Sequence, residues 1–227
     1  VEMTLGWHEG CAVRRSGSVL CWTHTGATAV VGVTDAIDVA VSQGASCALR
    51  RAGDVWCWGA GGGALLGRGP EGGSFPARVV PGVSGAVAIA AGWSDVCVVL
   101  GTGEVVCWGG GTAPSGTYAP SAIPALSTAD RIWAGNGRAA DIFFIGTTDG
   151  RLLAFSLRTP WVTGGYSMLS DVTSFFPSRV ATMSVGIGLA GSETGCGLLG
   201  DGTSWCWGDN AHGEVGDAGE CCDPLTF

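Results

Sequence analysis

Short apolar runs, each broken by a glycine-containing turn, recur along the whole chain. Their period is two. In Val55-Trp56-Cys57-Trp58, Val55 and Cys57 fall on one face and Trp56 and Trp58 on the other. Alternation of this kind predicts β-strands, and a run–turn–run with Gly in a short loop predicts a β-hairpin. Both faces are largely apolar. Val19, Val55, Val105 and Leu152 lie on one side, and Leu20, Trp56, Val106, Leu153 and Trp205 on the other. A strand that is apolar on both faces is buried on both, which a lone hairpin cannot achieve and a sheet stacked between like sheets can.

Aligning the hairpins on their cysteines exposes a repeat. CAVRRSGSVLCW, CALRRAGDVWCWG, CVVLGTGEVVCWG and CGLLGDGTSWCWG start at Cys11, Cys47, Cys97 and Cys196. Each places a turn glycine (Gly17, Gly53, Gly103, Gly202) before the second cysteine and a tryptophan (Trp22, Trp58, Trp108, Trp207) after it. Antiparallel pairing about such a turn sets the two cysteines opposite each other, within reach of a disulfide. The expected bonds are Cys11–Cys21, Cys47–Cys57, Cys97–Cys107 and Cys196–Cys206. Buried free thiols are the alternative, and a zinc site the weaker one, since no C-x2-C pair occurs. A fourth unit, IFFIGTTDGRLLAF, keeps Gly150, puts Phe155 in the tryptophan position, lacks both cysteines and reads as having a longer turn. Loss of both together fits pairing within a unit. Cys221 and Cys222 fall outside the repeat and are left unassigned.

Upstream of each hairpin lies another short apolar run, at Val1, Ile37, Val87, Arg131 and Val180. Downstream lies a Gly-rich connector and then a short segment often containing Pro, at Thr28, Phe75, Tyr118, Val172 and Asp223. Proline suits an edge strand. The unit is four antiparallel strands, and the chain is expected to be an all-β propeller in a single domain spanning residues 1–227. Its repeats run approximately over 1–35, 36–85, 86–128, 129–179 and 180–227. Five are visible, as a five-bladed ring or as part of a larger or open one.

Composition agrees. Gly is abundant at 41 residues and charged residues are only 13%, yet 46% of the chain is hydrophobic, which excludes a disordered linker. The net charge is −8 and every basic residue is arginine, so there is no basic stripe for nucleic acid and no cluster for anionic membranes. No apolar run reaches the length of a membrane span. The chain opens on Val1 and shows no signal peptide, as expected of a mature product, a fragment or part of a longer chain. Ten cysteines, eight of them in hairpin spacing, point to an oxidising setting: extracellular, cell-surface or periplasmic.

VAIAAGWSDVC, CALRRAGDVWCWG and CWGDNAHGEVGDAG together resemble the regulator of chromosome condensation repeat. The resemblance covers nearly the whole chain and implies a propeller, usually seven-bladed. Its cysteine pairs are similar to the secreted bacterial branch. Some relatives act as nucleotide exchange factors or β-lactamase inhibitors, and no residue here selects either role.

Catalytic chemistry is sparse. His8, His24 and His212 form no metal set, and neither H-E-x-x-H nor a G-x-S-x-G elbow occurs. GIGLAG (Gly186, Gly188, Gly191) precedes a hairpin rather than a helix, so no dipole is there to hold a pyrophosphate. The run from Gly59 to Gly69 reads as an interblade loop. Asp201, Asp209, Asp217, Glu220 and Asp223 lack calcium-loop spacing and read as a solvated rim. No enzyme activity and no cofactor are expected.

Function is therefore sought on the two rims. One carries Trp7, His8, Trp93, Asp95, Asn136, Arg138 and Glu193, where tryptophan beside polar groups has the composition of a binding hot spot. The other carries the hairpin turns, with Arg14, Arg15, Arg50, Arg51, Asp149 and Asp201. The expectation is a binding or scaffold module recognising a protein or a polysaccharide. The alternatives are a structural subunit that self-assembles or takes further blades from another chain, and a propeller enzyme such as a polysaccharide lyase.

Overall fold

A computed structural model describes residues 2–6, 8–60, 62–69, 73–110, 118–124, 126–135, 140–158, 169–187, 193–208, 213 and 215. They form three four-stranded antiparallel sheets and one seven-stranded sheet in which two antiparallel units are joined by a parallel bridge, together the five blades of a propeller. Blade 1 comprises β1 (Met3–Leu5), β2 (Gly10–Val13), β3 (Val19–Thr23) and β4 (Gly26–Ala29). Blade 2 comprises β5 (Ala36–Val41), β6 (Ala45–Arg50), β7 (Val55–Gly59) and β8 (Phe75–Val79). Blade 3 comprises β9 (Ala86–Ala91), β10 (Asp95–Leu100), β11 (Val105–Gly109) and β12 (Ser121–Ala122). Blade 4 comprises β13 (Ala129–Gly135), β14 (Ala140–Thr147), β15 (Leu152–Arg158) and β16 (Ser170–Asp171). The described part of blade 5 comprises β17 (Val180–Ile187), β18 (Glu193–Leu199) and β19 (Ser204–Gly208). The first strands β1, β5, β9, β13 and β17 stand side by side around a common axis, and β13 bonds β17 in parallel at Gly135–Val185.

All five central hairpins close alike. Arg14 N donates to Ser18 O and Gly17 N to Arg14 O, both at 2.8 Å, and the same pair of bonds recurs at Arg50–Asp54, Leu100–Glu104, Thr147–Arg151 and Leu199–Thr203. The turn glycines take left-handed φ values of +83° (Gly17), +81° (Gly53), +86° (Gly103), +90° (Gly150) and +86° (Gly202), which glycine alone adopts without strain. The fourth turn is therefore no longer than the others. Gly146 faces Leu152 as Val99 faces Val105, and Phe144 faces Ala154 where the other hairpins pair their cysteines. The sulfurs of Cys11–Cys21, Cys47–Cys57, Cys97–Cys107 and Cys196–Cys206 are bonded at 2.08–2.12 Å, each across one hairpin.

The two faces of each blade serve different neighbours. Cys11, Val13 and Val19 of blade 1 pack against Trp56 and Trp58 of blade 2. Cys47, Leu49, Val55 and Cys57 of blade 2 meet Val98, Val106 and Trp108 of blade 3. Cys97, Val99, Val105 and Cys107 of blade 3 meet Phe143, Leu153 and Phe155 of blade 4. Phe144, Leu152 and Ala154 of blade 4 meet Met183, Val185 and Trp207 of blade 5. In every joint a cystine-type face covers the next blade's tryptophan-type face, so the period-two pattern is a stacking code.

Two elements depart from expectation. The outer strand of blade 4 is Ser170–Asp171, and Thr173–Phe175 turns into a 3-10 helix with Thr173 Oγ1 accepting from Leu152 N at 2.9 Å. The glycine run after Gly59 contains a helical turn, α1 (Gly62–Leu65). It drives Leu65 and Leu66 into the layer between blades 2 and 3, where Trp108 Nε1 donates to Leu65 O at 3.0 Å. Pro76 does lie on an edge strand, β8.

Candidate functional site

The loops that join first and second strands lie on one rim and are stitched from blade to blade. In blade 1, Glu9 Oε1 accepts from Ser46 Oγ of blade 2 at 2.7 Å. In blade 2, Gln43 N donates to Trp93 O of blade 3 at 3.2 Å. In blade 3, the amides of Trp93 and Ser94 donate to Asp141 of blade 4 at 2.5 and 2.7 Å. The row leaves His8 and Gln43 exposed, with Trp93 and Ser94 half-buried beside them.

Asp141 is the keystone of this rim. It is 1% exposed, accepts a third bond from Ser94 Oγ at 3.1 Å, and fills the space over Gly92 that a Cβ would occupy. Asp95 is 0% exposed and takes Ser94 Oγ at 2.9 Å. Burial, and after it the charge of Asp95, raises the Asp141 carboxyl to about 7, against the pull of the Ser94 and Trp93 amides. Asp95, one of the expected contacts, is buried under the loop and holds it through Ser94. Asp141 was passed over in the sequence, although a lone carboxylate inside the apolar run AADIFFIG was a usable signal.

Of the other expected contacts on this rim, His8 lies in the exposed bend between β1 and β2. Glu193 opens β18 opposite Ile187. Trp7, Asn136 and Arg138 lie outside the described residues, as do Cys221, Cys222, Asp209, His212, Asp217, Glu220 and Asp223.

The opposite rim is largely self-satisfied. Arg50 forks onto Asp35 at 2.6 and 3.2 Å, reaches Asp54 at 3.0 Å and lies 4.9 Å above the Trp56 ring. That arrangement holds the Asp35 carboxyl below its ordinary range. Asp149 pairs with Arg151 at 2.8 Å, and Asp201 caps its own turn through Thr203 N at 2.9 Å. Arg14, Arg15 and Arg51 are exposed.

The first strands border a half-open axial space of about 470 Å³, lined by Glu2, Thr4, Asp38, Trp133, Thr182 and Ser184 among others. Asp38 is raised to about 6 there, first by burial and also by the charge of Glu2, against the bond from Val39 N. An outer cleft of about 590 Å³ lies between the edges of blades 1 and 2, where Trp22, Trp58 and Phe75 alternate with Thr23, Thr25 and Thr28. Among the described residues, Glu9, Cys11 and Cys21 come together in a metal-like cluster, but both sulfurs are spent in a disulfide. No helix among the described residues is long and apolar enough to cross a membrane.

A regulator of chromosome condensation (RCC1) repeat matches residues 190–214. No curated protein sequence matches the chain. Among solved structures, human WBSCR16 superposes with a TM-score of 0.66 at 20% identity, covering 82% of this chain and 55% of that one. Yeast RCC1 (Prp20), solved bound to Kap60, superposes with a TM-score of 0.65 at 16% identity, covering 89% and 54%. Prp20p from Saccharomyces cerevisiae, described with its binding properties to Gsp1p and histones, superposes with a TM-score of 0.64 at 17% identity, covering 88% and 56%. The fold is thus an RCC1-like β-propeller, and the chain spans about half the length of the solved propellers it matches.

Proposed function

We propose that this chain is a non-catalytic binding module that recognises a protein partner through the rim of stitched loops. The observation that carries the reading is the row of bonds Glu9–Ser46, Gln43–Trp93 and Trp93/Ser94–Asp141, which runs across four blades and holds His8, Gln43 and Trp93 in one pre-organised surface. Preorganisation lowers the ordering cost of association, and a half-buried indole beside polar groups is the usual anchor of a protein interface. By their place in the sequence repeat, Trp7, Asn136, Arg138 and Glu193 are the further contacts we assign. Its buried carboxylates face loop amides, which suits a shaping role more than proton transfer. Binding by propellers of this fold, Prp20p to Gsp1p and histones among them, supports the class of function. The four cystines support a setting outside the reducing cytosol: extracellular, cell-surface or periplasmic.

A photo-crosslinking residue placed at Gln43, and in a control at Arg14, tests the rim. The expected result is a saturable protein adduct at Gln43 alone, lost when Trp93→Ala is added to a chain that still folds. Equal labelling of both rims, or adducts indifferent to Trp93, would refute it. A polysaccharide reading draws on the outer cleft, where Trp22, Trp58 and Phe75 could stack sugar rings and Thr23 and Thr25 could bond hydroxyls. Tryptophan fluorescence unmoved by a panel of oligosaccharides would remove that reading.

A further inference from the structure

In three of the four joints the aromatic residue that follows the second cysteine position is sealed: Trp108 is 0% exposed, Phe155 2% and Trp207 4%. Trp58, in the same place between blades 1 and 2, is half-buried, and its indole N–H meets no acceptor among the described residues. The connectors account for the contrast with Trp108. Blade 2 leaves β7 at Gly59 and enters β8 at Phe75, and between them α1 and the turn after it press four residues into the next joint. Leu65 and Leu66 fill the apolar layer, and Leu65 O accepts from Trp108 Nε1 at 3.0 Å. Gly67, at φ +64°, lies so near Val80 and Trp108 that a Cβ there would meet Val80 Cγ1 at 2.6 Å. Arg68 donates to Cys57 O at 2.7 Å. Blade 1 has only His24 and Thr25 between β3 and β4, so it supplies no such plug.

The groups that receive the plug are nevertheless repeated between blades 1 and 2. Trp58 corresponds to Trp108 and Cys21 to Cys57. Val30, whose amide donates to Val19 O, corresponds to Val80, whose amide donates to Val55 O. All three line the outer cleft of about 590 Å³, a size within the ~300–1,000 Å³ of ligand sites. Glu9 is the one charged residue among the described residues that line it.

We propose that this cleft is a peptide-binding site, separate from the stitched rim surface, and that its ligand is a partner segment of the Leu-Leu-Gly-Arg type. Such a segment reproduces the plug that the chain itself inserts between blades 2 and 3. Its leucines cover Trp58 and Val30, and a leucine carbonyl takes the Trp58 N–H. Its glycine permits the close approach. Its arginine reaches Cys21 O, since a carbonyl has two lone pairs, and Glu9 supplies the opposite charge. An acidic segment is disfavoured by Glu9 and by the net charge of −8. Aliphatic side chains are what this fold already lays on the equivalent indole, which favours a peptide over a sugar ring in the same cleft.

Calorimetric titration of the oxidised full chain with acetyl-Gly-Ala-Leu-Leu-Gly-Arg-Gly-amide tests the proposal. The expected result is saturable binding at one site per chain, with the peptide carrying Asp-Asp for Leu-Leu inert. Trp58→Phe keeps a ring, removes the N–H donor and weakens binding about fivefold. Glu9→Gln weakens it about threefold and leaves the affinity for a peptide with Gln for Arg unchanged. Thr28→Arg, at an exposed position of β4 that lines the cleft, abolishes binding with the urea midpoint unaltered. No binding by the folded chain at about 1 mM peptide would overturn the proposal. So would binding that Thr28→Arg and Trp58→Phe both leave unchanged, or equal binding of the Asp-Asp peptide. An oligosaccharide that binds, loses its binding in Thr28→Arg and is not displaced by the peptide would assign the cleft to sugar instead.

Discussion

Replacing Asp141 by Asn separates its two roles, as acceptor for the Trp93 and Ser94 amides and as a buried acid beside Asp95. In the folded chain its carboxyl titrates at about 7, against about 3.9 in an unfolded one. Between those values the folded state binds the extra proton, so its contribution to stability is fully present below about pH 4 and is lost as pH rises through about 7. About three units at roughly 1.4 kcal/mol each cap the loss near 4 kcal/mol. An Asn side chain cannot ionise, so this slope disappears. Its amide nitrogen cannot accept the bond that Ser94 N or Trp93 N now makes, a pH-independent cost of about 1–3 kcal/mol. The curves therefore converge: Asp141→Asn is the less stable protein at pH 4 and equals or exceeds the wild type at pH 8. Urea unfolding followed by tryptophan fluorescence from pH 4 to 8.5, with disulfides intact, reads this directly. Asp38, raised to about 6, contributes a slope of the same sign to both proteins and drops out of the difference. Parallel curves for the two proteins would refute the reasoning.

Trp108 is 0% exposed between blades 2 and 3 and bonds Leu65 O, so Trp108→Ala should cost about 3–5 kcal/mol in urea unfolding. Trp205→Ala, at a side chain 39% exposed, should cost under about 1 kcal/mol. Brief treatment with a thiol reductant and mass mapping should find Cys196–Cys206 opened first, since Cys196 is exposed while Cys47, Cys57, Cys97 and Cys107 are sealed in blade joints; simultaneous opening of all four bonds would contradict the layer assignment. Gly103→Ala should lower the urea midpoint more than Gly202→Ala. Both glycines have φ +86°, but a Cβ on Gly103 meets the Ser127 carbonyl and one on Gly202 meets open space.

What could be read in advance was local. A turn glycine, two cysteines and a tryptophan at fixed spacing specify a hairpin and its cross-link, because strand period and turn geometry act within a dozen residues. The two-sided apolar pattern announced stacking as well. The rim was only half legible. Trp93 and Ser94 are bonded by Asp141, which comes from the next blade, and Asp95 is buried beside them. Blade 4 misled for another reason: without cysteines to mark register, IFFIGTTDG looked like a longer turn, and only the pairing of Phe144 with Ala154 shows one large and one small residue replacing the cystine.

That replacement also says what a cystine is for in this fold. Blade 4 is covered on both faces, and Phe144 approaches Trp207 of blade 5 with ring centroids 6.3 Å apart while Phe176 meets the same indole at 5.3 Å. Burial on two sides gives that hairpin its register without a cross-link, since any one-residue slip would turn Phe144 and Leu152 out of one layer and Phe143 and Leu153 out of the other. Among the described residues, blades 1 and 5 are each covered by a neighbour on one face, and both keep their cystine. A short-loop disulfide mainly removes freedom from the unfolded chain, by about 2–3 kcal/mol, and does so whether or not a neighbour is present. Blades 2 and 3, covered on both faces, keep theirs too, so among the described residues the cross-link matters most at Cys196–Cys206, where Cys196 is exposed and packing contributes least. Removing Cys196 and Cys206 together as alanines should loosen hydrogen-exchange protection across β18 and β19, while the same change at Cys97 and Cys107 should lower global stability and leave the ranking of protected strands unaltered. Equal local loosening in both variants would show that the layers, and not the cystines, hold the last blade.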